Sequence, residues 1–242
     1  MAEQKINKRI SLTFLGHACF KLVSPQGTTI LIDPWIKGNP QVPEQAKNIG
    51  KVDYLLVSHA HGDHLGDALE LAKSSGATVI SMPEIAQYLN QKGLAPEKTI
   101  GMNKGGTILI SDLIVTMVNA FHSSSLFEEN QIIYGGEAAG FVIRFNNGFT
   151  VYHAGDTGVF CDMKIIGELY KPDLALLPIG SHYVMGPEEA AYACKLLNPQ
   201  YVIPMHYGTF PVLTGTPEKF LELMKSLPQT KVLVVKPGET IE

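Results

Sequence analysis

Short apolar runs separated by turn residues make up the first part of the chain. The segments RISLTFLG, CFKLVS and TTILIDP predict strands, and Pro-Gln-Gly at 25–27 predicts the hairpin turn between the second and the third. The apolar run at 54–57, within KVDYLLVSH, has no polar alternation. It therefore predicts a strand that is buried on both faces.

Beyond residue 66 the pattern changes to strands that alternate with helices. Periodicity predicts helices at 66–76, 83–93, 186–198 and 216–228, and strands within 77–82, 105–122, 173–180, 201–206 and 231–239. The segment GFVIRFNNGFTVYHAGD predicts a β-hairpin that turns at Asn147-Gly148. This order of elements predicts a layered α/β protein with mixed sheets, in a single domain spanning 1–242.

The composition narrows the class of protein. Of the 242 residues, 45% are apolar and 17% are charged, as in an ordinary globular chain. A net charge of -4 and the lack of a Lys/Arg-rich run make a nucleic-acid partner unexpected. No apolar stretch approaches the roughly 20 residues of a membrane span, and the polar start MAEQKINKRI lacks the apolar core of a secretory signal. We therefore expect a cytoplasmic protein without membrane insertion.

The three cysteines, Cys19, Cys161 and Cys194, are odd in number and far apart. This spacing indicates neither a disulfide framework nor a cysteine-rich zinc site. Because their neighbours are apolar, all three are expected to be buried free thiols in a reducing compartment.

Histidines gather where predicted strands end. Seven of the eight lie in or just after LLVSHAHGDH, VNAFH, TVYHAGD, LLPIGSH and VIPMH. In open α/β sheets, ligands bind beyond the carboxyl ends of the strands. The shared location therefore predicts a functional site at one edge of the fold.

The densest group is HAHGDH. His59 and His61 are two residues apart in an extended segment, so their side chains point to the same side. Gly62 allows a tight turn that brings Asp63 and His64 to a neighbouring point. Neutral imidazoles and a carboxylate suit zinc and similar divalent metals. Four such groups so close together fit two adjacent metal ions better than one.

Two ions need further ligands, and three distant residues are candidates. His122, Asp156 and His206 each follow an apolar strand, so each could lie on the same rim. An aspartate can bridge two cations through its two oxygens. Two divalent cations, two aspartates and one hydroxide leave about one positive charge, which favours an anionic substrate.

The form H-x-H-x-D-H, with these three downstream positions, resembles the metallo-β-lactamase superfamily. TFLGHACF, YHAGDTGVFCDMKIIGE and PIGSHYVMGPEEA resemble a group of bacterial and archaeal metal-dependent hydrolases related to ascorbate-6-phosphate lactonase and N-acyl phosphatidylethanolamine phospholipase D. The resemblance implies an αββα sandwich of two mixed β-sheets flanked by helices. It also implies a first metal held by His59, His61 and His122, a second held by Asp63, His64 and His206, and Asp156 as the bridge.

The resemblance implies a dinuclear metal-dependent hydrolase. A hydroxide bridging two ions, most readily Zn2+ with Mn2+ or Fe also suitable, would attack a small anionic ester, lactone, amide or phosphoester. Asp63 is expected to orient that hydroxide. One alternative is an RNA or DNA phosphodiesterase like those that process tRNA 3′ ends, and another is a diiron redox protein. Relatives of this kind often associate, so a homo-oligomer is also expected.

Three other histidines near the strand ends each have two interpretations. His182 is a candidate for substrate binding and for protonating the leaving group, or else a surface-loop histidine. His17 could line the pocket and bind substrate or support a ligand, and His153 could support a ligand; a hydrogen-bonded core histidine is the alternative for both.

Two further features flank the candidate site. Asp33 is predicted to orient a metal-bound histidine, and Trp35 either forms a wall of the pocket or packs in the core. The segment SSSLFEEN, together with QIIYGGEAAG, predicts a long irregular connection. It would act as a lid over the site or as a solvated loop.

Overall fold

The computed structural model describes residue 6 and residues 10–242. The polar start of the chain therefore lies almost entirely outside the described residues. The strands are β1 (Ser11–Gly16), β2 (Cys19–Val23), β3 (Thr29–Ile32), β4 (Tyr54–Leu56), β5 (Thr78–Ser81), β6 (Thr99–Gly101), β7 (Thr107–Ile110), β8 (Leu113–Asn119), β9 (Ser125–Glu128), β10 (Gln131–Tyr134), β11 (Ala139–Phe145), β12 (Thr150–His153), β13 (Leu174–Pro178), β14 (Tyr201–Met205), β15 (Lys231–Val232) and β16 (Thr240–Ile241).

Six α-helices and two short 3-10 helices are found in the described part of the chain. The α-helices are α1 (Gly62–Leu65), α2 (Ala68–Ser75), α3 (Pro83–Gln91), α4 (Met163–Tyr170), α5 (Pro187–Leu197) and α6 (Pro217–Met224), and the 3-10 helices are Glu44–Ala46 and Pro96–Lys98. Proline occupies the first turn of α3, α5 and α6, where its missing N–H costs no intrahelical hydrogen bond. None of the described helices has the length and apolar character needed to cross a membrane.

Two seven-stranded mixed sheets form the centre of the fold. One has the order β16-β1-β2-β3-β4-β5-β6 and the other β15-β14-β13-β12-β11-β8-β7. Helices α2 and α3 pack on the first sheet, whereas α5 packs on β13 and is flanked by α4 and α6. The αββα sandwich of two mixed sheets is thereby confirmed.

Alternating side chains of the central strands explain this layering. In β13, Leu174 and Leu176 enter the core between the two sheets, whereas Ala175 and Leu177 enter the core under the helices. Such a strand is apolar throughout because both of its faces are covered. In β4, the successive residues Leu55 and Leu56 are both fully buried, so both faces of this strand are covered as predicted, and Tyr54 at its start is half-buried.

The strand directions bring the functional segments to one edge. Strands β3, β4 and β5 are mutually parallel, as are β12, β13 and β14. Strand β8 is antiparallel to β11, which is antiparallel to β12, so β8 runs in the direction of β12. The segments that follow β3, β4, β8, β12 and β14 therefore leave their sheets in matching directions.

Three predictions about local structure were wrong. The segment expected to be irregular contains the two-stranded sheet β9–β10, in which Phe127 pairs with Ile132. The predicted closing strand ends at Val232, and the last residues form β16 on the other sheet. Cys161 is exposed because it lies in the loop before α4, whereas Cys19 and Cys194 are buried as expected.

Candidate metal centre

The segment after β4 carries the first part of the site. Ser58 and His59 are fully buried, and the chain bends at Ser58, Ala60 and His61 before α1 begins. Nε2 of His59 lies 3.0 Å from Nδ1 of His61, so the two rings present nitrogens to the same point. Helix α1 then brings Asp63 and His64 round. Gly62 begins this helix without a positive φ, and a Cβ there would meet nothing within 4 Å, so the turn does not depend on glycine as predicted.

Three other strand ends reach the same point. His122 follows β8, Asp156 follows β12 and His206 follows β14. Gly155 makes the turn before Asp156 possible: its φ is +62°, and a Cβ there would lie 2.5 Å from a backbone carbonyl oxygen of β11. The chain bend that delivers the aspartate thus has room only for glycine.

The donor atoms fall into three overlapping sets, in each of which they lie within 4.8 Å of one another. The sets are His59 with His61 and His122; His17 with Asp63, His64 and His206; and His59 with His64 and Asp156. All seven residues predicted to hold metal are therefore brought together. His17 is an eighth member that was not predicted as a ligand.

Asp156 stands between the first two sets. Its Oδ1 lies 3.3 Å from Nε2 of His64, and its Oδ2 lies 3.0 Å from Nε2 of His206. The same Oδ2 lies 3.7 Å from Nε2 of His122 and 4.0 Å from Nε2 of His59. One carboxylate thus contacts both groups of imidazoles.

A buried carboxylate behind the cluster fixes two of the rings. Oδ1 of Asp33 accepts a hydrogen bond from the backbone N–H of Ser58 at 2.8 Å, and Oδ2 accepts from the Ser58 hydroxyl at 2.7 Å. Nδ1 of His64 lies 2.8 Å from the same Oδ2, so that nitrogen carries the proton. With its hydroxyl hydrogen on Asp33, Ser58 accepts from Nδ1 of His59 at 3.0 Å. Both histidines therefore direct Nε2 into the cluster, and it is this nitrogen that would bind metal once it is unprotonated.

His17 is held behind Asp63 rather than in the cavity. Its ring is fully buried, with Nε2 3.2 Å from Oδ2 of Asp63 and Nδ1 2.9 Å from Oγ1 of Thr209. Its backbone N–H donates to the side chain of Gln41. This geometry supports a ligand and does not match the expected contact with substrate. Ser58, Gln41 and Thr209 were missed, because side-chain partners this far apart leave no local sequence signal.

His153 is a hydrogen-bonded core histidine. Nε2 donates to the carbonyl oxygen of Ala18 at 2.9 Å, and Nδ1 accepts the N–H of Gly155 at 3.1 Å. The second hydrogen bond stabilises the turn that leads to Asp156, so His153 has a supporting role.

Burial and local charges set the protonation of the cluster. Burial lowers the pKa values of His59, His61 and His122, which leaves their lone pairs free at neutral pH. Burial opposes ionisation of Asp156, but the charges of His206 and His64 hold its pKa well below the usual range. Burial likewise opposes a proton on His64, yet Asp156 and Asp33 raise its pKa well above the usual value. The two carboxylates thus favour positive charge at this position.

Unpaired buried atoms test whether divalent ions fit. Within the described residues, Nε2 of His64, Oδ1 of Asp156 and Nδ1 of His206 are buried and lack a hydrogen-bond partner. Such atoms are costly unless something satisfies them. Imidazole nitrogens and carboxylate oxygens converging in this way match the donor chemistry of zinc and similar metals. The residues present therefore fit metal ions.

An open cavity of about 570 Å³ lies against the cluster. The lining residues are His61, Asp63, His122, Ser123, Asp156, Tyr183, His206, Phe210, Pro211 and Val212. His182 is not among them: Ser181 and His182 both have left-handed backbone angles, and the His182 ring is exposed and packs against Tyr183, centroids 4.4 Å apart. The structure thus places Tyr183, rather than His182, on the cavity, and a role of His182 in substrate binding or proton transfer stays a prediction.

Comparison with known proteins agrees with this fold and site. A family model described as a beta-lactamase superfamily domain matches residues 28–207. The chain is 52% identical over 231 residues to a UPF0173 metal-dependent hydrolase of Koribacter versatilis, across 96% of this chain and 97% of that protein. It is 52% identical over 232 residues to a UPF0173 metal-dependent hydrolase of Rubrobacter xylanophilus, across 95% of each.

A solved structure shows the same architecture. Igni18, a metallo hydrolase of Ignicoccus hospitalis, superposes with a TM-score of 0.85 at 42% sequence identity, covering 96% of this chain and 97% of that one. The fold and the site together define a member of the metallo-β-lactamase superfamily, as the H-x-H-x-D-H motif indicates. Within that superfamily, the chain belongs to the UPF0173 family of metal-dependent hydrolases.

Proposed function

We propose that two divalent ions bind in this cluster and that the protein uses them to hydrolyse a small molecule. The proposed ligands are His59, His61 and His122 for the first ion, Asp63, His64 and His206 for the second, and Asp156 for both. Zinc is our first choice, and manganese or iron also suits these donors. The position of Asp156, in contact with members of both donor sets, is the observation that carries the proposal.

The chain's own residues prepare the site for this chemistry. When bound, such ions would lower the pKa of a coordinated water to about 7 and polarise the substrate's oxygen. Asp33 and Ser58 hold His64 and His59 in the tautomers that leave Nε2 free. Asp63, partly exposed to the cavity and held by His17, is proposed to orient the attacking water.

The proposed reaction adds water across an ester, lactone, amide or phosphoester bond. The acyl or phosphoryl side gains a hydroxyl, and the leaving group gains the hydrogen. A phosphodiesterase acting on RNA or DNA is disfavoured, because the cavity lining, within the described residues, contains neither lysine nor arginine to bind a phosphate backbone. The residues Asp63 and His206 would be equally suitable for iron, so metal analysis decides the redox alternative.

The experiment combines metal loading with a change at Asp63. Zinc-loaded protein is assayed on 4-nitrophenyl acetate, a γ-lactone and bis(4-nitrophenyl) phosphate, beside Asp63→Ala. The variant should lose zinc from the second site and nearly all turnover of any hydrolysed compound. The matched control is Asp162→Ala, because Asp162 is exposed before α4 and caps nothing with its side chain. A fully active, fully metallated Asp63→Ala protein would refute the proposal.

A further inference from the structure

The cavity has two chemically different sides. One side carries the candidate metal ligands, and the other consists of Tyr183, Phe210, Pro211 and Val212. Tyr183 and Val212 are 56% and 43% exposed, so their apolar surfaces are open to a ligand in the cavity. They come from two loops, one between β13 and α5 and the other between β14 and α6.

These two loops are fixed to each other and to the core. The backbone N–H of Gly215 donates to the carbonyl oxygen of Gly180 at 3.1 Å. The contact depends on glycine, because a Cβ on Gly215 would lie 1.7 Å from the carbonyl oxygen of Ile179. The Phe210 ring stacks on Trp35, with centroids 5.9 Å apart and planes 26° apart. Trp35 thus supports the wall from behind, and the wall is formed before any ligand arrives.

The cavity offers an anion no positive side chain. Among its described lining residues there is neither lysine nor arginine, and the acidic members are Asp63 and Asp156. Lys104 lines the adjoining cavity beyond His122, but its ammonium is bound to Glu137 and to Oδ1 of Asn119. An anionic substrate is expected only because the metal ions would carry positive charge. That charge acts on the reacting group of the substrate, so the expectation does not extend to the rest of the molecule.

We propose that the wall of Tyr183, Phe210, Pro211 and Val212 binds an uncharged, aromatic or branched apolar part of the substrate. This inference rests on the proposed function, since the polar reacting group would face the metal ligands opposite. The cavity volume of about 570 Å³ accommodates a small ligand of this kind. A charge carried on that part would lose its hydration and gain no partner.

Three hydroxamates test the inference, because they share one metal-binding group and differ only in the attached part. Binding of acetohydroxamate, benzohydroxamate and 4-carboxybenzohydroxamate to the zinc-loaded protein is measured by isothermal titration calorimetry. We expect benzohydroxamate to bind about tenfold more tightly than the other two, because only its ring is apolar and uncharged. Calorimetry does not require turnover, so the result stands even where no hydrolysed compound has been found.

A second experiment places a positive charge in the apolar wall. Val212→Lys should reverse the order of the two aromatic compounds, and Val212→Ala should weaken benzohydroxamate alone. Leu221→Lys on α6 is the control, because Leu221 is 42% exposed and does not line the cavity. Equal binding of all three compounds, or preference of the unchanged protein for the carboxylate, overturns the inference. If acetohydroxamate still binds in either of those cases, the proposal of a metal centre stands. If none of the three compounds binds, both the metal centre and the apolar wall are refuted.

Discussion

Asp33→Asn should weaken the second metal site directly and the first through Ser58. Oδ1 of Asp33 accepts the backbone N–H of Ser58, so the asparagine oxygen must stay there and its NH2 group must take the place of Oδ2. That NH2 group would then donate towards Nδ1 of His64, which in the unchanged protein donates to the carboxylate. His64 would move its proton to Nε2, which is the nitrogen that faces Asp156.

The size of the effect follows from burial. Changing an outer partner of a metal ligand costs about 10–100-fold in affinity, or ~1.4–2.7 kcal/mol. Asp33 and His64 are both 0% exposed, so water cannot enter to replace the lost acceptor. We therefore expect the upper half of that range for the second ion. The Ser58 hydroxyl also loses its acceptor on Asp33, so it can donate to Nδ1 of His59 and move the His59 proton to Nε2. The first ion should therefore bind more weakly as well, within the same range.

The assay is a zinc titration in competition with a chromophoric chelator, which resolves two binding steps. Asp53→Asn is the matched control, because Asp53 also accepts a backbone N–H, from Thr29 in the same sheet, away from the cluster. Asp33→Asn should shift both steps, and Asp53→Asn should shift neither. Two unchanged steps in Asp33→Asn would refute the argument that Asp33 sets the His64 tautomer.

Three further outcomes are expected. Gly155→Ala should lower the free energy of unfolding by about 1–3 kcal/mol in urea titrations, because alanine is strained at positive φ and would meet a carbonyl oxygen; unchanged stability would contradict this. A thiol reagent should label one cysteine, Cys161, in the folded protein and all three in denaturant, because Cys19 and Cys194 are buried. Burial also raises the pKa of Cys194 to about 12, which suppresses its reactive thiolate. Rapid labelling of Cys194 in the folded protein would contradict this prediction. Burial lowers the pKa of His17 from 6.5 to about 4, so between these values the unfolded chain binds a proton that the folded chain does not. The melting temperature of metal-free protein should therefore fall as the pH drops from 6.5 to 4, and a constant value would count against the burial argument.

The main features of the site could be predicted because they depend on local spacing. His59 and His61 converge as their spacing predicts, with Nε2 of His59 3.0 Å from Nδ1 of His61. The predicted causes were wrong, because the chain bends at Ala60 and His61 and the turn to Asp63 does not need the freedom of glycine at Gly62. Asp156 could be placed on the same rim because apolar strands that run in one direction end at one edge. The order of the strands within the sheets could not be predicted from these patterns, because it depends on long-range pairing.

The errors arose where backbone conformation departs from regular elements. The β9–β10 hairpin turns through Glu129 and Asn130, both with positive φ, whereas the usual sequence signal is Asn-Gly. Tyr183 rather than His182 faces the cavity because two successive left-handed residues replace strand alternation there. Cys161 has apolar neighbours in sequence but lies in a surface loop.

The central claim is that two ions bind side by side and share Asp156. Anomalous diffraction at the zinc absorption edge, from crystals of the zinc-loaded protein, tests it most directly. We expect two peaks about 3.5–4 Å apart, one beside His61 and the other beside Asp63, with the Asp156 carboxylate between them. A single peak, or two peaks without Asp156 between them, would contradict it.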